Sequence, residues 1–228
     1  MDIISLMDDI KRASLLKELY IYKSLGYEYF KDITVLMKNT EQFLNLPDDW
    51  EELKRMVLNC RLCQLSKTRK NVVFGEGDIH AKVMFIGEGP GATEDETGRP
   101  FVGRAGQLLT KIIENVLELK REQVYIANIV KCRPPNNRVP LPQEVRMCKP
   151  FLLKQIELIS PKIIVALGST SYRHLTGDNK TPISKIRGEI LDFNGIKLIP
   201  TFHPSFLLRN PSAKKDVYQD MLKVKAML

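Results

Sequence analysis

KVMFIGEGPGATED, residues 82–95, is the stretch that decides the fold class. Val83 to Ile86 are uninterrupted apolar residues between Lys82 and a run of turn formers, Gly87-Glu88-Gly89-Pro90-Gly91. A short apolar run without polar alternation reads as a strand buried on both faces, and such strands belong to parallel sheets covered by helices. The pattern recurs outward from this segment, at 123–130 and again at 162–168. Between these runs lie helical stretches. Residues 104–119 place Ala105, Leu108, Leu109, Ile112, Ile113, Val116 and Leu117 at the 3.6-residue period, and another helix follows Pro142. Residues 189–193 and 196–202 flank Asn194-Gly195, a two-residue hairpin signal, and a last helix is expected over 212–227. The fold class is therefore α/β, with a central, mostly parallel sheet flanked by helices on both faces.

Upstream, Leu15, Leu16, Leu19 and Tyr20 fall on one helical face, Gly26 breaks the run, and Val35, Leu36, Phe43 and Leu44 form a second one. Pro47 closes this leader. Asp48 with Glu51 has the form of a capping box, starting a helix that carries Trp50, Leu53 and Val57 toward Cys60. The expected organisation is an N-terminal helical extension over 1–47 and one domain over 48–228, with no internal repeat.

The chain has 228 residues, 43% hydrophobic and 27% charged, which excludes collagen-like, mucin-like and disordered classes. No apolar stretch approaches the ~18 residues of a membrane span. The acids of MDIISLMDDI stand where a signal peptide would carry Lys or Arg, so a cytoplasmic location is expected. The net charge of +8 is unevenly placed: residues 1–50 hold six Lys/Arg against nine Asp/Glu, leaving 29 against 18 in the remainder. A body this basic holds polyanions by displacing their counterions, so nucleic acid leads the candidate partners, ahead of an anionic membrane surface; a lysine-rich enzyme without such a partner is the plainer reading.

In parallel sheets ligands bind beyond the carboxyl ends of the strands. That rule selects three segments: GEGPGATED after the first strand, Asn128 to Arg138 at and after the second, and TFHPSFLLR after the last. The first satisfies G-x-G-x-x-A, but Pro90 disrupts the turn and Glu94-Asp95-Glu96 place acids where a pyrophosphate would sit. Of the three histidines, only His203 lies at the mouth, as a structural or a catalytic residue. Asn128 interrupts an apolar strand and must find partners, so it is either a local backbone bonder or a ligand reader. The four cysteines follow the pattern Cys60-x2-Cys63, then Cys132-x15-Cys148. A cytosolic setting argues against disulfides; four thiolates suit tetrahedral zinc or a [4Fe–4S] cluster, and unrelated buried thiols are the alternative.

GEGPGATEDETGRPFVGRAGQLL (87–109), NIVKCRPPNNR (128–138), HPSFLLR (203–209) and the cysteine pattern together resemble the family 4 uracil-DNA glycosylases, iron–sulfur enzymes of base excision repair. The resemblance runs from about Cys60 to the end and leaves residues 1–47 outside it. It implies a uracil-DNA glycosylase-like fold, a [4Fe–4S] cluster on Cys60, Cys63, Cys132 and Cys148, and a monomer that hydrolyses the N-glycosidic bond of uracil in DNA. A flipped uracil would stack on Phe101, meet Asn128 along the edge that distinguishes it from cytosine, and receive a hydrogen bond from His203 at O2 as negative charge develops there. Where other uracil glycosylases carry an aspartate in the first motif this chain has Gly89, which leaves Glu88 and Glu94 to position the water or to cap a turn. Ser205 is a phosphate contact by the same resemblance, Leu207 or Leu208 a wedge into the DNA or part of the core, Arg133 and Arg138 are backbone contacts or neighbours of the cluster, and Arg209 is a candidate DNA contact. No lysine lies at the mouth, so the implied chemistry is hydrolysis rather than a Schiff base. A sibling enzyme acting on another deaminated base, and a non-catalytic metal-stabilised nucleic-acid-binding module, are the competing classes.

Overall fold

The computed structural model describes residues 46–228, and the amphipathic helices read at 3–46 lie outside that span but for its last residue. Helix α1 (Trp50–Leu58) opens the domain. Its N-cap is Asp49, whose Oδ1 accepts from the Glu52 amide at 2.8 Å, one residue later than the capping box expected at Asp48 and Glu51. Asp49 is extended (φ −94°, ψ 132°), so the helix begins at Trp50, and Asp48 instead pairs with the ammonium of Lys154. Leu53 and Val57 are buried, and the Trp50 ring meets Phe74 and Tyr125 edge-on at 5.3 and 5.5 Å.

Six strands form one sheet: β1 (Glu76–Gly77), β2 (Val83–Gly87), β3 (Tyr125–Asn128), β4 (Ile163–Leu167), β5 (Leu191–Phe193) and β6 (Ile196–Thr201). Their spatial order is β1-β3-β2-β4-β6-β5. The four inner strands are parallel and each edge strand joins antiparallel. Every residue of β2, β3 and β4 is buried, which is why these strands show no alternation in the sequence. Asn194 and Gly195 both have positive φ, 52° and 84°, and Phe193 pairs with Ile196, the mirror-image turn expected of Asn-Gly.

Four helices follow from β2 onward on this frame: α2 (Ala92–Thr97), α3 (Arg104–Ile112), α4 (Pro142–Ile159) and α5 (Gly168–Thr176). The single helix read over 104–119 is two pieces. After Ile112 the chain widens into a π-turn, Ile113–Leu117, ending at Glu118 with φ 58°. The extra residue keeps Ile113, Val116 and Leu117 all facing the core. Short α6 (Ile183–Ile186) precedes β5, and α7 (Pro204–Arg209) and α8 (Lys214–Lys225) complete the domain. No described helix is long and apolar enough to cross a membrane.

Strand β6 is fixed at its carboxyl end by a buried carboxylate from α8. Asp220, 1% exposed, accepts from Thr201 Oγ1 at 2.6 Å and takes both a 2.5 Å and a 3.1 Å bond from the Arg187 guanidinium. Burial pushes the Asp220 carboxyl above the usual carboxylate range, opposed by Thr201 and Arg187. Truncating it would leave a largely buried guanidinium with only Asp216, at 3.8 Å, as counter-charge. Asp220→Ala is therefore expected to lower the unfolding free energy by about 3 kcal/mol in urea titrations, with Asp220→Asn milder.

Candidate active site

The carboxyl ends of the parallel strands open into a cleft of about 630 Å³. Register brings its floor together: Gly87 at the end of β2 lies beside Asn128 at the end of β3. A methyl group on Gly87 would stand 2.4 Å from both Asn128 Oδ1 and Phe101 Cζ, so glycine there lets two side chains occupy one spot beside the strand. Asn128 is 1% exposed, and its Oδ1 is the one buried side-chain polar atom without a hydrogen-bond partner among the described residues. Such an acceptor destabilises the fold by roughly 1–3 kcal/mol unless a ligand meets it.

Phe101 covers this acceptor from a strained backbone, with φ at 49°. The strain is held from two sides. Gly106 allows α3 to approach so closely that a methyl there would meet the Phe101 carbonyl oxygen at 1.8 Å. Glu94 ties the preceding loop down: Oε1 accepts from the amides of Val102 (2.9 Å) and Gly103 (2.8 Å), and Oε2 from Gly91 (3.2 Å). Of the two carboxylates considered for positioning water, Glu94 is thus engaged by backbone, whereas Glu88 lines the cleft with no side-chain hydrogen bond or ion pair among the described residues. Gly89 lines it too, its Cα side closed by Val130.

His203 arrives from β6, with its ring 5.6 Å from that of Phe101 and tilted 36° to it. It caps α7: Nδ1 accepts from the Ser205 amide at 3.1 Å and lies 2.7 Å from Ser205 Oγ. The Ser205 amide donating to Nδ1 leaves the imidazole proton on Nε2, making that nitrogen a donor. Burial, helped by Arg209 and opposed by Glu94, pushes the His203 pKa down to about 4, so the ring is neutral at physiological pH. Ser205, read as a phosphate contact, instead has its hydroxyl on His203. Leu207 is 1% exposed and belongs to the core, so the leucine that reaches solvent is Leu208, at 39%. Arg209 is exposed at the cleft's edge; Arg138, also at that edge, is held bidentate by Glu144 at 2.7 and 2.8 Å; and Arg133 bonds Asn137 at 2.8 Å.

Ser169 and Thr170, also in the lining, escaped the sequence reading although they follow β4; applying the strand-end rule to that strand finds them.

A second cavity is lined by all four cysteines, none in a disulfide. Arg69 Nη1 donates to Cys132 Sγ at 3.1 Å and the Lys131 amide to Cys148 Sγ at 3.2 Å. Burial pushes the thiols of Cys132 to about 11 and Cys148 to about 12, so their ionisation at neutral pH requires a positive charge among them. Among the described residues, no three His, Cys, Asp or Glu are grouped to hold one metal ion. A four-iron cluster makes a different demand, with one thiolate at each iron around a cube rather than four at a single ion.

The pattern of the uracil DNA glycosylase superfamily matches residues 74–223. The chain belongs to this superfamily. Within it, the chain is similar to the type-4 uracil-DNA glycosylase of Thermotoga maritima, 50% identical over 181 residues, 78% of this chain and 94% of that protein. The type-4 enzyme of Saccharolobus solfataricus is 47% identical over 188 residues, covering 79% and 87%, and that of Sulfurisphaera tokodaii 44% over 187, covering 79% and 85%. The chain is thus a member of the type-4 uracil-DNA glycosylases, with the superfamily's α/β sheet. In this member, Gly106→Ala is expected to release or displace Phe101. Activity on a substrate oligonucleotide should fall at least about ten-fold, and a crystal structure of the variant should show the Phe101 ring moved.

Proposed function

We propose that this chain hydrolyses the N-glycosidic bond of uracil in DNA, releasing the free base and leaving an abasic site for base excision repair. The observation that carries the reading is the unsatisfied Oδ1 of Asn128, buried beside Phe101 in a cleft that also holds His203. Uracil offers N3–H and O4 along one edge; an asparagine amide accepts from the first and donates to the second, whereas cytosine reverses both positions. The base reaches the cleft only after leaving the helical stack, a step of a few kcal/mol, and Phe101 supplies a flat apolar face for it.

As the bond breaks, negative charge collects on uracil O2. His203 acts as a neutral donor through Nε2–H, and its bond strengthens as that charge grows. The sugar becomes oxocarbenium-like, so the incoming water needs little activation. Glu88 is the carboxylate placed to orient it, because Glu94 is occupied by three amides. Gly89 lines the cleft beside Glu88 and its main chain meets the base, Leu208 is the exposed apolar side chain available to enter the gap in the DNA, and Arg209 contacts the backbone. We assign the activity to residues 48–228, which carry every residue named here, acting as a monomer. Four unpaired cysteines suit a reducing, cytoplasmic compartment.

Cys60, Cys63, Cys132 and Cys148 would hold a [4Fe–4S] cluster, a reading supported by their shared cavity, the N–H···S bonds from Arg69 and Lys131, and the type-4 relatives. When bound, the cluster supplies a tie between the segment after α1, the loop after β3 and α4, and no reacting atom. Protein purified without oxygen is expected to be brown with about four irons per chain; a colourless, active protein with stoichiometric zinc would refute this.

The deciding experiment is an oligonucleotide panel carrying uracil, hypoxanthine, xanthine or a thymine mismatch, which separates uracil excision from a sibling activity and from silent binding. On the uracil strand, His203→Ala should lower the single-turnover rate by ~10²- to 10³-fold with binding little changed. The wild-type rate should stay level as pH falls from about 8 to about 5, because the ring remains neutral well below the ordinary imidazole pKa of about 6.5. Stability follows the same sign. The unfolded chain protonates His203 before the folded one does, so its contribution is full above about pH 6.5 and is lost as pH falls toward 4. A rate inflection near 6.5 would show a solvent-accessible His203.

A further inference from the structure

Lys131 stands between Asn128 and Cys132, and neither the cleft nor its chemistry uses it. It is 1% exposed, a rare place for an ammonium. Its Nζ donates to the main-chain carbonyl of Asn128 at 3.1 Å and to Gln155 Oε1 at 2.5 Å, and no carboxylate is among its partners. Gln155 is fully buried in α4 and oriented from its other end, with Nε2 donating to Phe74 O at 3.0 Å and to the Tyr125 hydroxyl at 3.2 Å. Its oxygen is therefore directed at the lysine and cannot turn away without breaking two buried bonds.

The location explains the need. Strand β1 covers only Tyr125 and Ile126 on the outer edge of β3, so this edge is without a strand neighbour where Asn128 stands. On the inner side the ladder continues, with the Ile129 amide bonded to Gly87 O at 2.9 Å and the Val130 amide to Glu88 O at 3.2 Å. The ammonium takes up the Asn128 carbonyl and joins it to α4.

We propose that Lys131 is a positioning residue for base recognition: it clamps the Asn128 backbone to Gln155 and so holds the Asn128 amide at the angle the uracil edge demands. The inference rests on the reading of Asn128 as the group that meets uracil. It makes one residue serve both places: the Lys131 main-chain amide donates to Cys148 Sγ at 3.2 Å and its ammonium to the Asn128 carbonyl.

The test uses the full-length, iron-loaded protein and three measurements: iron per chain, inhibition by free uracil, and single-turnover cleavage of a uracil oligonucleotide. Lys131→Met keeps the length of the stem and removes the ammonium. Free-uracil inhibition is expected to weaken by about ten-fold or more, the loss typical of a bond to a charged group, with cleavage slowed comparably and affinity for uracil-free duplex unchanged. A role in stability alone would lower yield or iron content while each loaded molecule kept wild-type uracil inhibition and rate, and that result overturns the proposal. Should the single variant not fold, Lys131→Met with Gln155→Leu removes both buried polar faces together; wild-type uracil inhibition in that protein equally overturns it. Asn128→Ala separates the two readings. If it weakens uracil inhibition and the lysine variants do not, Lys131 is not the clamp; if it leaves uracil inhibition unchanged, the base-reading role of Asn128 fails and the proposal with it.

Discussion

The missing side chain of Gly87 is the constraint on which the site depends. β2 and β3 run parallel and in register, so any Cβ at this position would meet the Asn128 oxygen and the Phe101 ring together. With no Cβ there, an amide and an aromatic ring converge at the end of two buried strands, and the ring in turn reaches the imidazole delivered by β6. Each of these side chains is set by something behind it. Gly106 and Glu94 shape the turn that carries Phe101, Ser205 orients His203, and Lys131 takes up the Asn128 carbonyl. The cleft is preorganised by steric fit and main-chain hydrogen bonds rather than by ion pairs.

Preorganisation of this kind leaves the Asn128 oxygen unsatisfied and holds Phe101 in the left-handed region, and both lie in the cleft. A domain tolerates them because the rest of it is locally consistent. The inner strands are apolar on both faces, and the buried carboxylate of Asp220 has a full set of partners. The neutrality of His203 belongs to the same design. A charged ring would put a proton on Nδ1, where the Ser205 amide already points.

Much of this was legible in the chain because its signals are local. Unbroken apolar runs gave the parallel strands, Asn194-Gly195 the hairpin, and the strand-end rule the segments that hold Asn128 and His203. Where the chain left two readings open, contacts formed only on folding chose between them. Glu94 reads as a candidate for water positioning until the amides at 102 and 103 fold back upon it. Ser205 reads as a phosphate contact until α7 turns its hydroxyl to the histidine, and Leu207 as a wedge until the core closes over it. The π-turn after Ile112 is invisible to a 3.6-residue pattern, since an inserted residue shifts the phase without changing the composition. Lys131 did leave a trace, a charge placed directly between an apolar strand and a cysteine.

The two edge strands carry a consequence for how the protein behaves in company. β1 has two residues and β5 three, and each lies antiparallel against the parallel interior. A longer free edge would present a row of unpaired amides and carbonyls on which a neighbouring copy could build a strand. A basic protein that gathers on DNA meets its own copies at high local density, where such templating would seed aggregates. Edges this short offer an incoming chain almost no ladder to extend.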